Sequence, residues 1–404
     1  MNHQLNRRAV MRTGCVGLAS LLLPKAIRAA PVDQTGVAAW RNDDSISPVL
    51  DKATCHSIHT YFNTSPESPD GRWVLFYRST HPDGHRGEVC IAERTMGRVN
   101  VLASNVTIED AHRAACQQWI SDGRRVVFHD LRGADWVVVS VDIESGEERT
   151  LTSGRQIAWG QPRADLVPLY GPHWSLGEHR DLEAVDVNTG VNSTLVTVAD
   201  LRKAFPDWVR KEFGEAEISL FFPILSPDMQ RVLFKASSPA GGGFRSPQGS
   251  TRKGLFCYDF VAKKFVFMDP NWGHPAWHPD SRGVLNIYGR NVVFIHSETG
   301  YIESNKSLPP FPGGHPSLSP DGPLFVTDTQ LGLFGGSRGD WGVVVGDISN
   351  GQYEILHRFD NTQGATSWRR SHPHPVFSHD GRRIYFNASD GAWTRLLVAE
   401  RPPN

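Results

Sequence analysis

The sequence predicts an all-β protein, a closed seven-bladed β-propeller, from three observations. A turn built on Pro-Asp recurs along the chain, an apolar run follows each copy, and a second run closes on Asp-x-x-x-Gly. The turn stands as Ser68-Pro69-Asp70-Gly71, Ser226-Pro227-Asp228, His278-Pro279-Asp280, Ser319-Pro320-Asp321-Gly322 and Ser378-His379-Asp380-Gly381, with Ser121-Asp122-Gly123 shortened and Asp165 degenerate. Pro presets φ, Asp bonds its own backbone, and Gly takes the left-handed position. The runs that follow include Trp73-Val74-Leu75-Phe76, Val232-Leu233-Phe234, Val284-Leu285-Asn286-Ile287, Leu324-Phe325-Val326 and Ile384-Tyr385-Phe386. The closing runs end at Asp142, Asp186 and Asp347, each four residues before a glycine. Turn, strand, turn, strand at a period of roughly 40 to 60 residues is the pattern of propeller blades, and about seven units suffice to close a ring.

The chain has 404 residues, a formal net charge of -1, and 39% apolar and 10% aromatic content, which suits a globular protein with a large core. No basic excess points to nucleic acid as a partner. The repeat spans nearly the whole chain, so residues 31–404 are expected to form a single propeller domain. Residues 1–30 read as a cleavable export signal. Arg7-Arg8 lies in a twin-arginine-like region, Val16–Leu23 is a short apolar core, and Ala29-Ala30 supplies small residues before Pro31. That apolar run is too short to span a bilayer, so no membrane span is expected in the mature protein, and the expected location is periplasmic or secreted. Export would place Cys55, Cys90, Cys116 and Cys257 where disulfides can form. Their spacing has no Cys-x-x-Cys pair and sets no pairing. Nothing in the sequence fixes the oligomeric state.

Taken in order, polar residues from Val32 to Ala53 are expected to wrap or close the ring. Blade one opens with His56 and His59, in the segment leading into an innermost strand, and blade two places His112 in the same way. Blade three carries an insertion, Leu169 to Arg180, rich in Tyr, His, Trp and Arg, which looks like a binding loop. Its His173-Trp174-Ser175-Leu176-Gly177 lacks the first glycine of a nucleophile elbow, and no α/β-hydrolase sheet follows. Asp200 to Phe213 has helical spacing, broken or turned by Pro206. Gly241 to Ser250 reads as a rim loop, without the Gly-Lys-Ser or Gly-Lys-Thr of a phosphate-binding loop.

Histidines are superimposed on the repeat. His274-Pro275, His315-Pro316 and His374-Pro375 stand at one phase before their turns, whereas the fourth blade has Phe222-Pro223 there. Innermost strands surround one channel, so these three rings are expected to converge, and His372 points to the same side as His374 by strand alternation. Such a cluster suits a divalent transition metal with open positions.

The stretches Gly273–Asp280, Gly314-His315-Pro316 and above all Ser371-His372-Pro373-His374-Pro375 resemble the oligogalacturonate lyases, seven-bladed propellers that cleave uronic-acid oligomers by β-elimination with manganese. The resemblance covers most of the mature chain, although only the His-Pro-His-Pro motif is specific; the Pro-Asp turns occur in many Tol-like propellers. It implies that His274, His372 and His374 are metal ligands, with His315 available to complete the set. Where the family has a glutamine ligand this chain has Arg369, and where the family has its catalytic histidine this chain has Phe222. The family's blade-three arginine finds an approximate match in Arg180.

The function expected is an exported lyase acting on acidic oligosaccharides by metal-assisted elimination, with manganese the metal by resemblance. His112, His173 and Arg180 are the candidates for catalysis, and His59 and Arg369 for substrate binding. The alternative is a propeller that binds an anionic sugar or a protein partner without chemistry. A hydrolase ranks third, because no carboxylate pair is assignable from spacing.

Overall fold

The computed structural model describes residues 36–401 except 41–44, 52–53, 244–245, 247, 289–290, 308–312 and 321. The proposed signal segment and Asp321 therefore lie outside the described residues. Strand β1 (Ile46–Pro48) stands apart from the first sheet, which comprises β2 (His56–Ile58), β3 (Trp73–Ser79), β4 (Arg86–Glu93) and β5 (Val99–Thr107). The second sheet comprises β6 (Gln118–Ile120), β7 (Arg125–Arg132), β8 (Asp135–Asp142) and β9 (Glu148–Ser153). The third comprises β10 (Gln156–Ile157), β11 (Leu166–Tyr170), β12 (Leu182–Asp186) and β13 (Asn192–Val196). Two short helices follow, α1 (Val198–Ala204) and α2 (Pro206–Phe213), split at the proline. The fourth sheet comprises β14 (Ser219–Leu225), β15 (Arg231–Pro239), β16 (Ser250–Asp259) and β17 (Lys264–Asp269), and the fifth β18 (Ala276–Trp277), β19 (Gly283–Tyr288), β20 (Asn291–His296) and β21 (Ile302–Ser307). The sixth comprises β22 (Ser317–Leu318), β23 (Leu324–Gln330), β24 (Asp340–Asp347) and β25 (Tyr353–Asp360). The chain ends with β26 (Val376–Phe377), β27 (Arg383–Asp390) and β28 (Trp393–Glu400).

Each of the seven sheets has four strands, and the protein is a seven-bladed β-propeller. Six sheets run in chain order, while the seventh is completed by β1, which pairs antiparallel with β28 from Ile46↔Ala399 to Pro48↔Leu397. The ring is thus closed by the N-terminal strand. A buried ionic contact reinforces the closure, because Glu67, just before β3, accepts from Arg383 of β27 at 2.7 and 2.9 Å and from the Tyr385 hydroxyl at 2.5 Å.

The repeated turn joins the first strand of a sheet to its second. In the fourth sheet Ser226 Oγ donates to Asp228 at 2.5 Å and accepts from the Arg231 N–H at 2.9 Å, so one hydroxyl fixes both sides of the turn. Ser378 does the same with Asp380 (2.6 Å) and the Arg383 N–H (3.0 Å). In the fifth sheet His278 takes the serine's place, its Nδ1 lying 2.6 Å from Asp280. The Asp-x-x-x-Gly signals join third strands to fourth, as where Gly146 at φ +73° donates to the Asp142 carbonyl at 2.9 Å. Tryptophans on innermost strands tie neighbouring sheets, with Trp119 Nε1 donating to the Pro66 carbonyl (2.8 Å) and Trp277 Nε1 to that of Ile224 (3.1 Å).

Cys55, Cys90, Cys116 and Cys257 are all buried, and none is joined in a disulfide among the described residues. Among the described residues no helix is long and apolar enough to cross a membrane.

Candidate metal centre and adjoining cavity

The histidines stand on the segments that enter the innermost strands, and polar residues on the second strands hold them. Asp328 of β23 accepts from the His315 N–H at 3.0 Å, lies 2.8 Å from His315 Nδ1, and accepts from the His374 N–H at 3.3 Å. A ring whose Nδ1–H is given to this carboxylate presents Nε2 as the free donor atom. Asp328 is fully buried, yet its carboxyl lies below the usual range; burial opposes this and the His315 contacts outweigh it. Asn387 of β27 donates to the carbonyls of His59 (2.9 Å) and His372 (3.1 Å), and its backbone N–H donates to the Pro373 carbonyl at 2.8 Å. Asn286 of β19 accepts from the His274 N–H at 2.7 Å.

These anchors bring four rings together. Donor atoms of His112, His315, His372 and His374 all lie within 4.8 Å of one another. Ring centroids of His112 are 4.4 Å from His372 and 4.5 Å from His374, and His315 is 4.5 Å from His374. Both ring nitrogens of His374, and Nδ1 of His112 and of His372, are buried without a hydrogen-bond partner. Burial pushes the rings of His112, His274 and His374 well below the usual histidine range, and that of His372 down to about 3, so the imidazoles are neutral. Imidazoles brought together from the second, sixth and seventh sheets, with ring nitrogens of His112, His372 and His374 free of hydrogen-bond partners, are a donor set that fits a divalent transition metal, and Asp328 already orients the His315 ring.

His374 has φ +43°, in the left-handed region, not the extended backbone that the following proline favours; Trp368 (φ +50°) and Phe222 (φ +61°) share this strain beside the site. His112 reaches the cluster from a tight segment with Ala114 at φ +48° and Cys116 at φ +50°.

The set differs from the four metal ligands expected. His112, expected as a catalytic group, joins the four, whereas His274 lies outside them, its ring 4.6 Å from His315 and part of an adjoining cavity. Tyr61 closes the channel beside the cluster, 4.6 Å from His374 and stacked at 4.8 Å on Trp159.

The cavity, about 140 Å³, is walled by Tyr61, Phe221, Phe222, Trp272 and Trp368 and receives His112, His173, His274, the amine of Lys235 and the guanidiniums of Arg113, Arg252 and Arg369. Glu109 is the carboxylate in its wall, and it is already engaged by Arg113 (2.6 Å) and Gln156 (3.3 Å). Burial works against the Arg113 charge, and Glu109 outweighs it, holding the guanidinium ionised. Lys235 is pushed well below the usual lysine range by burial and then by Arg252, Arg113 and Arg369. Arg252 is lowered by burial and by Arg113 and Arg369. The site is therefore an aromatic pocket with excess positive charge, suited to an acidic ligand with apolar ring faces.

His173 is buried at this cavity, its Nδ1 2.7 Å from Ser250 Oγ and its ring 4.4 Å from Phe221. Arg369 also lines it. Two other expected residues stand elsewhere. Arg180 pairs with Glu217 at 2.8 Å on the surface, because its carbonyl is tied to the Leu220 N–H of β14 and its side chain leaves toward solvent. His59 is buried outside the cavity lining, with its N–H given to Asn387 at 2.7 Å and its ring pushed by burial down to about 3. Lys235, Arg252 and Arg113 were not anticipated; the available signal was a lysine inside the apolar run Val232-Leu233-Phe234-Lys235-Ala236.

No family model matches the sequence, and no curated protein matches it either. Solved structures do match in fold. An oligogalacturonate lyase in complex with manganese aligns with a TM-score of 0.63 at 15% identity, covering 88% of this chain and 93% of that one. The oligogalacturonate lyase of Vibrio parahaemolyticus aligns with a TM-score of 0.61 at 14% identity and the same coverage. A chain of the mitotic checkpoint complex aligns at 0.54 and 13% identity, over 96% of this chain and 99% of that one. The fold is that of a seven-bladed propeller similar to the oligogalacturonate lyases.

Proposed function

We propose that this chain is an exported lyase that cleaves uronic-acid-containing oligosaccharides by β-elimination, assisted by a divalent metal. The observation that supports it above all is the junction of two features: four histidines converging from several blades, and beside them an aromatic cavity whose guanidiniums outnumber its carboxylates. An acidic sugar needs both parts. Trp272 and Trp368 offer flat faces to a pyranose ring, and Arg369 and Arg252 neutralise its carboxylate. That neutralisation lowers the cost of the carbanion-like state formed when the α proton leaves. His112, His315, His372 and His374 would hold the metal, whose chemistry there is Lewis-acid stabilisation of the same negative charge. The imidazole-only donor set matches zinc, iron, copper or nickel at least as well as manganese. Export rests on the Arg7-Arg8 segment.

The test is incubation of purified protein with a panel of uronate oligosaccharides, following the ultraviolet absorbance of the unsaturated uronate. His374→Ala should lose bound metal and at least about a hundredfold in activity, the scale of removing one strong transition-state contact. Arg369→Ala should keep the metal and weaken acidic-sugar binding by about 1.5–3 kcal/mol, the range for a hydrogen bond to a charged group. A His374→Ala protein with full metal content removes the site assignment. Tight uronate binding without unsaturated product would favour the non-catalytic alternative, for which Phe222 in place of a histidine is the specific observation.

A further inference from the structure

We propose that Lys235 is the base of this site, taking the proton α to the uronate carboxylate; this role rests on the lyase reading above. Lys235 sits on β15, paired in register with Phe221 of β14. Its flanking residues Val232, Leu233, Phe234 and Ala236 are fully buried apolar side chains. A lysine in such a strand is costly unless a partner compensates it. Among the described residues no hydrogen bond or ion pair reaches its amine. Nζ lies 4.3 Å from the Trp272 ring centroid and 5.3 Å from those of Phe221 and Phe222, in the wall of the cavity. The nearby carboxylate, Glu109, is committed to Arg113 and Gln156.

The surrounding charges explain what the amine can do. Arg252, Arg113 and Arg369 face Lys235, and burial with their repulsion favours its neutral form. A neutral amine has a lone pair to accept a proton, while the guanidiniums stay charged to hold the carboxylate. The other candidates are less suited: His173 is pushed by burial down to about 2 and is tied to Ser250, His112 belongs to the four-histidine cluster, and Arg180 faces solvent. In the step, Nζ takes the proton from C5, the C5–H electron pair becomes the C4=C5 bond, and the C4–O bond breaks. The departing oxygen keeps that bond's electron pair and is protonated by the Lys235 ammonium or by water.

Lys235→Met keeps an unbranched apolar stem as far as Cε and removes the base. Expected are a loss of turnover of about a thousandfold, within the span for general base catalysis, with substrate affinity within a few-fold, metal content unchanged and no loss of thermal stability. Lys235→Cys alkylated with bromoethylamine restores a thioether amine there, and should recover part of the turnover with the acid limb of the kcat/KM profile displaced. Turnover in Lys235→Met within about tenfold of the parent, in a protein that is itself an active lyase, overturns the role of Lys235 and leaves the lyase reading standing. A parent protein that binds uronates and never yields unsaturated product overturns both.

Independently, the geometry points to a second cation site on the loop between β3 and β4. His81, Asp83 and His85 offer donor atoms within 4.8 Å of one another, with ring centroids 4.2 Å apart. The loop is a preformed turn closed by the Gly84 N–H on the His81 carbonyl at 2.9 Å, and Asp83 Oδ1 lies 2.7 Å from His85 Nδ1 and 3.6 Å from His81 Nδ1. These side chains are 52%, 49% and 35% exposed, so modest ring rotations suffice to reach the spacing of about 2.0–2.1 Å that an imidazole-bound zinc requires. The Asp83 carbonyl accepts from the N–H groups of Thr366 (3.1 Å) and Ser367 (2.9 Å), immediately before Trp368 and Arg369 of the cavity. An ion here would stiffen the segment that carries those two side chains. Titration with zinc chloride alone should show one equivalent lost in the double variant His81→Ala/His85→Ala and retained in His374→Ala. Unchanged zinc stoichiometry in the double variant overturns this site.

Discussion

At the scale of single residues, the protein keeps ionisable groups uncharged by burying them, and that has a measurable effect on stability. His129 is buried, stacks at 4.4 Å on Trp136, and has an unpartnered Nε2; burial, and then Arg113, push it down to about 3. The unfolded chain binds a proton below about pH 6.5, whereas the folded state does not until about pH 3. The contribution of His129 is therefore complete above about pH 6.5 and lost progressively as pH falls, by about 1.4 kcal/mol per unit. His129→Phe should lose about 2 kcal/mol less than the parent between pH 7 and pH 5, measured by chemical denaturation. The residue scale is also where sequence reasoning missed most. His112 precedes its innermost strand by six residues, against two for His315 and His374, so its spacing gave no sign that it meets them. The left-handed backbone at Ala114 and Cys116 bends it into place.

At the scale of elements, the Ser-Pro-Asp turn does more than reverse the chain. Ser226 is fully buried and its hydroxyl serves Asp228, Gln230 and Arg231 together. Ser226→Ala leaves two backbone N–H groups and a carboxylate short of a partner, and should cost about 1–3 kcal/mol in denaturant titration. The helical spacing of Asp200 to Phe213 resolves into α1 and α2 because Pro206 cannot continue a helix yet suits the first position of the next one. Thr197 caps α1 through a reciprocal bond with Asp200, a capping box.

At the scale of the whole molecule, seven sheets become one ring only if the last is fastened to the first. Backbone pairing of β1 with β28 does part of this, and Glu67 with Arg383 and Tyr385 adds to it from within the core. Glu67 holds Arg383 above the usual arginine range, and without it the guanidinium would still be charged, because arginine titrates far above neutral pH on its own. Glu67→Ala leaves the Arg383 guanidinium with Asp380 alone, at 2.8 Å, and the buried Tyr385 hydroxyl without its acceptor; it should cost about 1–3 kcal/mol, read as a lowered Tm, beyond the effect of breaking an exposed pair such as Arg163–Asp122.

The sequence by itself determined the architecture. Local turn chemistry repeats with the blade, and each copy of Pro-Asp or Asp-x-x-x-Gly needs only its own neighbours to form, so the count of blades could be read along the chain. It also placed His315, His372 and His374 near one another, because a shared repeat phase becomes a shared position around the channel. Only the tertiary structure decided which groups complete the site. Lys235, Arg252 and Arg113 come from separate segments with no common spacing, and whether a cation within a strand meets a cavity, a core or solvent depends on how the sheets pack around it. The exchange of His274 for His112 among the four converging rings has the same origin: periodicity sets the order of blades, while anchoring contacts such as Asp328 to His315 and Asn387 to His372 set where each ring points.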